Sequence, residues 1–251
     1  MHYTFQTNVG KVRTHNEDSG GVFSNEYGIL AIVADGMGGH LAGDVASSMS
    51  VSFLEKEWAN VQAVMTAKEA EKWLTEQCTR LNEYLYDHAM NHKECQGMGT
   101  TIVAALCTEE FVSLAHVGDS RVYIGNEFGF KLKTSDHSLV QELVNTGQIT
   151  EEEAEHHPRK NVLLRALGTE RAIKVDVQTL QVEEKQIIML CSDGLSNKME
   201  TDEMEAILQA DEPIETRAET FITKANERGG EDNISIAIVE YPNAVDADKA
   251  R

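Results

Sequence analysis

Four short segments rich in apolar and β-branched residues follow one another with only a few residues between them, at 101–107, 112–117, 122–124 and 131–133. Segments of this composition are typical of β-strands. Parallel neighbours would need a crossover of roughly a dozen residues or more, so these spacings predict an antiparallel meander. The meander argues against a parallel sheet wound from alternating strands and helices.

The rest of the chain also separates into blocks of strands and blocks of helices. Further strands are predicted at 3–9, 28–34, 173–177, 187–191 and 234–239. Helices are predicted in consecutive pairs, at 42–58 and 69–90, at 139–144 and 151–155, and at 202–208 and 214–226. Thr66 with Glu69, and Thr150 with Glu153, have the spacing of a capping box. Such blocks indicate an α+β fold.

The chain has 251 residues, of which 41% are hydrophobic, and this is enough for a sizeable core. No repeat, low-complexity run or linker divides it, so we predict one domain over residues 1–241 and a flexible tail over 242–251. The four cysteines have no regular spacing and predict buried, reduced thiols. No apolar run is long enough to cross a bilayer and no secretory leader is visible, so we expect a cytoplasmic protein without membrane insertion.

Net charge excludes one class of partner. The 22 Lys and Arg residues against 42 Asp and Glu residues give a formal charge of −20, and the basic residues are scattered. Such a chain repels a phosphate backbone and an anionic membrane surface. We therefore expect no nucleic-acid partner, and the charge counts directly against a metal-dependent nuclease or phosphodiesterase.

Four aspartates, Asp35, Asp119, Asp193 and Asp232, stand at ends of predicted strands, beside glycine or at a strand start. Any one of them alone is adequately explained as a turn residue. Strand ends of one sheet can converge, however, and clustered carboxylates repel one another unless a cation neutralises them. Oxygen donors without a His or Cys set favour Mg²⁺ or Mn²⁺. Gly36 leaves its own carbonyl free to reach such an ion.

A second group of charged residues lies near the N-terminus. Glu17 and Asp18 alone would be solvated loop acids, and Arg13 alone a surface charge. Beside a carboxylate cluster, Arg13 has the planar donor geometry that suits a phosphate oxyanion. The two acids are further candidate metal ligands.

Taken in order, these motifs resemble those of the metal-dependent type 2C (PPM) Ser/Thr protein phosphatases, and most closely the short stand-alone enzymes of Gram-positive bacteria. The resemblance covers residues 3–240. The motifs are Arg13-x-x-Asn16-Glu17-Asp18, Asp35-Gly36-Met37-Gly38-Gly39, Gly99-Thr100-Thr101, Val117-Gly118-Asp119-Ser120-Arg121, Asp136-His137-Ser138-Leu139, Arg165-Ala166-Leu167-Gly168, Ser192-Asp193-Gly194-Leu195 and Gly230-Glu231-Asp232-Asn233.

The resemblance implies a four-layer αββα fold, with a central antiparallel β-sandwich flanked by helix pairs and metals between the sheet edges. It implies that Asp35 bridges two Mn²⁺ or Mg²⁺ ions, one of them also bound by the Gly36 carbonyl and the other held by Asp193 and Asp232. Asp119, with Asp193, would hold a third, weaker ion. Residues 134–169 would form a mobile flap.

The remaining roles also follow from the resemblance. Glu17 and Asp18 would act directly or through metal-bound waters, and Arg13 would bind the substrate phosphate, which makes Arg13 and Asp35 the predicted catalytic residues. The ions would activate a water to hydrolyse phosphoserine and phosphothreonine in proteins, without a phosphoenzyme. Consistently, no cysteine is followed six positions later by arginine, the pattern of a thiolate phosphatase. The expected partners are phosphoproteins and a membrane Ser/Thr kinase that the enzyme opposes, and the expected state is a monomer.

Met37 departs from the family pattern, because eukaryotic relatives have at this position a histidine assigned as general acid. Methionine cannot donate a proton, so His40, a metal-bound water or solvent would protonate the leaving group. The alternative function is an inactive phosphatase-like module that senses metal or phosphoprotein. Such a module should lack some of the acids that this chain retains.

Overall fold

The computed structural model describes residues 1–38 and 42–242. Its strands form two antiparallel sheets. In the described part of the chain they are β1 (His2–Asn8), β2 (Asp18–Asn25), β3 (Gly28–Met37), β4 (Gly99–Thr100), β5 (Ile102–Cys107), β6 (Phe111–Val117), β7 (Arg121–Asn126), β8 (Gly129–Leu132), β9 (Asp176–Gln181), β10 (Ile187–Cys191) and β11 (Ile234–Glu240). One sheet has the order β1-β11-β10-β7-β8; the other has the order β2-β3-β5-β6-β9, with β4 paired to β3.

The α-helices of the described residues are α1 (Ala42–Ala59), α2 (Ala67–Asn91), α3 (Leu139–Asn145), α4 (Glu151–Glu155), α5 (Asp193–Ser196), α6 (Thr201–Leu208) and α7 (Ile214–Glu227). The predicted helices are confirmed, with ends that differ by two residues at most. Both capping boxes form: Thr66 accepts from the Glu69 amide, Thr150 accepts from the Glu153 amide, and each glutamate bonds back to the cap amide. These caps satisfy amides that a helix start otherwise leaves unpaired.

Three apolar clusters define the layers. Residues such as Val33, Leu114 and Leu190 fill the space between the two sheets. Helices α1 and α2 pack on the outer face of the sheet that contains β3, and α6 and α7 pack on the sheet that contains β11. The predicted α+β fold with a central sandwich and flanking helix pairs is confirmed.

The predicted meander is wrong at one connection. Strand β6 pairs with β5 and β9, so both of its edges are occupied, whereas β7 pairs with β8 and β10 in the other sheet. The three residues from Gly118 to Ser120 therefore cross between the sheets. Gly118 has φ +109°, and a Cβ there would lie 2.6 Å from the Thr101 Cγ2 atom, so this crossing requires glycine. It leaves Asp119 between the two sheets.

Other predicted boundaries also differ. Strands β2 and β4 and the short helix α5 were not predicted, and β9 begins at Asp176, three residues after the predicted start at Ile173. All four cysteines are buried and free, as expected. No α-helix within residues 1–38 and 42–242 is both long and apolar enough to cross a membrane. The predicted tail at 242–251 stays a prediction, since only Pro242 of it is among the described residues.

Candidate active site

Asp18 and Asp35 are register partners on the antiparallel strands β2 and β3. Residues directly opposite each other in such a pair project from the same face of the sheet. Asp18 is buried and Asp35 is half-buried. The strand pairing that the sequence did not predict therefore brings two carboxylates together.

Two threonines fix the backbone at Asp35. The Asp35 amide donates to the Thr101 Oγ1 atom at 2.9 Å, while the Thr101 amide (2.8 Å) and the Thr100 hydroxyl (2.9 Å) donate to the Asp35 carbonyl. Thr101 Oγ1 also lies 2.7 Å from Ser120 Oγ in the loop that carries Asp119. Thr101 thus links the Asp35 strand to the crossing between the sheets.

Asp193 and Asp232 approach from the other sheet. Asp193 begins α5 directly after β10, and Asp232 precedes β11. A Cβ on Gly194 would lie 2.0 Å from the Asn233 carbonyl oxygen and 3.3 Å from Asp232 Cβ. Only glycine at position 194 allows the two segments to pack this closely, so it brings the two acids together.

Asn233 ties the N-terminal acids to the same place. Its Oδ1 atom accepts from the Glu17 amide at 2.8 Å, and its Nδ2 atom donates to the carbonyls of Val9 (2.9 Å) and His15 (3.0 Å). The Glu17 carbonyl accepts in turn from the Gly36 amide at 3.1 Å. The segment that bears Glu17 is thereby fixed against both β3 and the Asp232 loop.

Ser192 connects Asp18 to β10. Its hydroxyl donates to the Asp18 Oδ2 atom at 2.6 Å and accepts from the Ser235 amide at 3.0 Å. The other carboxylate oxygen, Asp18 Oδ1, is buried without a hydrogen-bond partner among the described residues. An unpaired oxygen of this kind is costly unless a donor or a cation reaches it.

Arg13 lies at the exposed edge of the cluster. Its Nη2 atom donates to Asp232 Oδ2 at 2.8 Å, with side-chain exposures of 47% and 39%. Its charge also opposes the rise that burial causes in the pKa of Glu17. A second arginine, Arg121, forms a two-point ion pair with Asp136, at 3.0 and 2.7 Å.

The electrostatics identify the acids as one cluster. Burial raises the pKa of Asp35 well above its ordinary value, and the charges of Asp18, Asp193, Asp119 and Asp232 raise it further. Burial and then the charge of Asp232 raise the pKa of Asp193. Asp35 therefore lies among the four other predicted aspartate ligands.

Asp18 and Asp119 show the same effect. Burial raises the pKa of Asp18 to about 7, although hydrogen bonds from Ser192 and Ser235 oppose the rise. Burial, followed by the charge of Asp193, raises the pKa of Asp119 to about 7. Full ionisation of the cluster near neutral pH requires additional positive charge.

The donor set fits a hard divalent cation. The predicted set consists of carboxylate oxygens and the Gly36 carbonyl, and the unpaired Asp18 Oδ1 atom belongs to one of these carboxylates. Within the described ranges, no three His, Cys, Asp or Glu side chains are grouped closely enough to hold an ion by themselves. This arrangement suits Mg²⁺ or Mn²⁺, because such ions keep several waters and need few direct protein ligands.

One predicted residue falls outside this description. His40, the general-acid candidate, lies in the segment 39–41, which is not described. Met37 ends β3 opposite Gly99 and has no group that can donate a proton. Sequence reasoning assigned no role to Thr101, Ser192 or Asn233, although all three are within the quoted motifs, and their hydrogen bonds now explain why those positions are polar.

Known proteins resemble this chain over nearly its full length. The family model described as Protein phosphatase 2C matches residues 9–228. The serine/threonine phosphatase stp of Listeria monocytogenes is 47% identical over 96% of each chain. The crystal structure of Stp1 from Staphylococcus aureus is similar at a TM-score of 0.91 and 35% identity, covering 96% of this chain and 95% of that one. The catalytic domain of PstP in complex with two manganese ions has a TM-score of 0.83 and 29% identity, covering 96% and 98%.

Proposed function

Because this chain belongs to the protein phosphatase 2C family and is a metal-dependent serine/threonine protein phosphatase, we propose that its buried acid cluster holds two Mn²⁺ or Mg²⁺ ions. Asp35 would serve both ions, the Gly36 carbonyl would be a ligand of one, and Asp193 and Asp232 would be ligands of the other. The observation that carries this proposal is the repulsion between Asp35 and the four carboxylates around it, because a bound cation would allow such a cluster to ionise.

A third, weaker ion is assigned to Asp119 and Asp193. The charge of Asp193, which raises the pKa of Asp119, supports the pairing. Glu17 and Asp18 would contribute directly or through coordinated waters. The unpaired Asp18 Oδ1 atom is available for that purpose.

Bound divalent ions supply an activated water for in-line attack on phosphorus. The protein's own residues bind and orient the ester. Arg13 is exposed and has a planar fork of donors, which matches two oxygens of a phosphate group. Its contact with Asp232 places those donors at the rim of the acid cluster, so we assign Arg13 to the substrate phosphate.

The leaving serine or threonine oxygen must receive a proton. Met37 cannot provide it. His40, a coordinated water and solvent remain the candidate donors, and a His40→Asn variant distinguishes the first from the other two. Loss of the alkaline branch in the pH profile of kcat would assign the role to His40, because a general acid must be protonated to act.

We further propose that the substrates are phosphoserine and phosphothreonine proteins in the cytoplasm and that the enzyme opposes a membrane Ser/Thr kinase. The proposed unit is one monomeric phosphatase domain over residues 1–241, with residues 134–169 as its flap. The full-length similarity to stand-alone phosphatases supports this organisation.

The test measures hydrolysis of a phosphothreonine peptide and of p-nitrophenyl phosphate, with Mn²⁺, with Mg²⁺ and with excess EDTA. We expect turnover that EDTA removes and added metal restores. Asp35→Asn is the matched inactive control, and a supercoiled plasmid tests for nuclease activity. Turnover that persists in excess chelator, or cleavage of the plasmid, would contradict the proposal.

A further inference from the structure

The loop residue Gly118, which immediately precedes Asp119, is held at both of its backbone groups by the segment that follows β8. The Gly118 amide donates to His137 Nδ1 at 3.1 Å, and the Gly118 carbonyl accepts from the His137 amide at 2.8 Å. The Nε2 atom of His116 lies 2.8 Å from the same carbonyl.

These contacts determine where the ring protons are. Nδ1 of His137 faces an N–H donor and must accept, so the proton of the neutral ring is on Nε2. That atom lies 3.0 Å from Asp176 Oδ2 and donates to it. Arg165 Nη1 lies 3.2 Å from the same Nε2 atom and donates to Asp176 Oδ1, at 3.3 Å. The Nε2 atom of His116 faces a carbonyl and must therefore carry its proton.

Asp176 in turn is anchored by two basic residues. Arg165 Nη1 lies 3.3 Å from Asp176 Oδ1, and Lys174 Nζ lies 3.4 Å from the same atom. A hydrogen-bonded chain thus runs from Asp176 through the His137 ring to the Gly118 amide, one residue from Asp119. His137 itself is 8% exposed, so solvent does not replace these bonds easily.

The chain also joins two functional parts of the molecule. His137 belongs to the base of the proposed flap, and its neighbour Asp136 pairs with Arg121, two residues after Asp119. Ser138 forms a β-bridge with Leu163 on the returning segment. The base of the flap therefore touches the Asp119 loop on both sides of the carboxylate.

We propose that His137 is a positioning residue that holds Asp119 in place for the weaker metal ion, by accepting from the Gly118 amide while Asp176 orients its ring. The inference rests on the proposed function, in which Asp119 is a metal ligand. It adds that ion binding at Asp119 depends on the hydrogen bonds at the base of residues 134–169. Outer partners of ligands commonly change metal affinity by roughly 10- to 100-fold when they are removed.

The experiment measures Mn²⁺ binding directly, from the electron paramagnetic resonance signal of the free ion, in the full chain. His137→Leu removes the acceptor at similar volume, whereas His137→Asn keeps an acceptor near the position of Nδ1. Asp176→Asn weakens the hydrogen bond that orients the His137 ring and keeps the ring itself. His156→Leu is the matched control, because His156 is exposed on the same segment and does not contact the Asp119 loop.

We expect wild type and His156→Leu to bind two ions tightly and one weakly. In His137→Leu the weak class should lose about 10-fold in affinity or more, with the tight class unchanged, while His137→Asn should recover part of that loss. In an Asp119→Ala background the same histidine change should have no further effect on binding. A general loss of structure would instead weaken both classes and lower the melting temperature of the metal-free protein.

The inference would be overturned if His137→Leu left the affinity for the weakly bound Mn²⁺ ion unchanged. It would also be overturned if the same change lowered Mn²⁺ affinity further in the Asp119→Ala background. The proposed function would still hold in either case. If His137→Leu does not fold, Asp176→Asn decides, and an unchanged weak class in that variant would also overturn it. Failure of wild type to bind Mn²⁺ would contradict the proposed function itself. The two failures are thus separate.

Discussion

Asp18 and Asp35 stand directly opposite each other on β2 and β3, and their side chains leave the sheet on the same face. Like charges in this position destabilise a strand pair unless a cation lies between them. The strand pairing therefore has a thermodynamic cost that a cation bound at the proposed site would offset. This relationship gives the first prediction.

Asp35→Asn should stabilise the metal-free protein, by on the order of 1 kcal/mol, because it removes a charge from the cluster at nearly constant volume. The same change should lower turnover by more than about 100-fold, since loss of even an outer partner of a ligand costs roughly 10- to 100-fold. Urea denaturation in EDTA and p-nitrophenyl phosphate hydrolysis in Mn²⁺ measure the two effects. Wild-type turnover in this variant would show that Asp35 is not part of the site.

The partner of Asp35 was not predictable from local sequence. The β2 segment contains Gly20 and Gly21 and lacks a run of β-branched residues, so its own preference for a strand is weak. It becomes a strand because it pairs with β3. A Cβ on Gly20 would lie 2.4 Å from the Phe5 ring, so tight packing explains why this strand position is a glycine.

The position of Asp119 could not be predicted from local sequence either, because it depends on tertiary structure. Short loops predict antiparallel neighbours, and this is correct for β5 with β6 and for β7 with β8. It fails between β6 and β7 because β9, which is distant in sequence, occupies the free edge of β6. Motif order predicted the candidate acids, whereas only the two-sheet arrangement explains how they meet.

The raised pKa values of the acids predict how metal-free stability depends on pH. Asp18 and Asp119 have pKa values of about 7 in the folded chain against 3.8 for an ordinary aspartate, so between these values the folded protein binds more protons than the unfolded one. Its free energy of unfolding should therefore fall as pH rises from about 4 to 7. Burial lowers the pKa of His116 to about 4 and also lowers the pKa of His137, and these two groups act in the opposite direction below pH 6.5, against several acids.

With added Mn²⁺ the free energy of unfolding should instead rise as pH rises, because ionised carboxylates are the better ligands. At about 100 times its Kd, a bound ion should stabilise the protein by about 2.7 kcal/mol, and the effect should be smaller at pH 5. Urea denaturation at several pH values, with EDTA and with Mn²⁺, measures how the free energy of unfolding changes with pH in the two cases. Metal-free stability that rises steadily between pH 5 and 7 would contradict the assigned pKa shifts.

Arg13→Ala should raise KM for p-nitrophenyl phosphate by about 10- to 100-fold, with a smaller effect on kcat, because hydrogen bonds to a charged group contribute roughly 1.5–3 kcal/mol. Arg13→Lys should recover only part of the loss, since an ammonium group is not a planar two-point donor. The exposed pair with Asp232 should contribute little to folding, less than about 1 kcal/mol. Lys11→Ala is the control, as Lys11 is also exposed nearby. An unchanged KM would make Arg13 a simple surface charge.

Thiol-blocking reagents should leave turnover intact. Burial raises the pKa of Cys78, Cys107 and Cys191 to about 12, so hardly any thiolate exists at neutral pH. The proposed reaction at the acid cluster does not use a thiolate. Titration with a disulfide reagent should find these thiols unreactive in the native protein and all four cysteines reactive in denaturant. Rapid inactivation of the native enzyme would indicate a cysteine in the chemistry.

Arg159 and Lys160 are exposed in the proposed flap, and no salt bridge joins either side chain to the described residues. The nearby helices α3 and α4 bury no residue completely, so this segment should open more readily than the sandwich. A mobile element beside a metal site can select large substrates and release products. Replacing both residues by Ala should therefore lower kcat/KM for a phosphoprotein more than for p-nitrophenyl phosphate, which needs only the metals and Arg13.

The matched control is the double variant Lys68→Ala and Lys72→Ala, which removes the same charge from the exposed face of α2. Assays of all variants on one phosphothreonine protein and on p-nitrophenyl phosphate separate selection from catalysis, because a change in the metal site would affect both substrates equally. A general effect of net charge on an already acidic enzyme would appear in the control as well. Equal proportional losses on the two substrates, or no loss, would leave the basic pair with a role only in packing the flap or in balancing Glu151, Glu152 and Glu153.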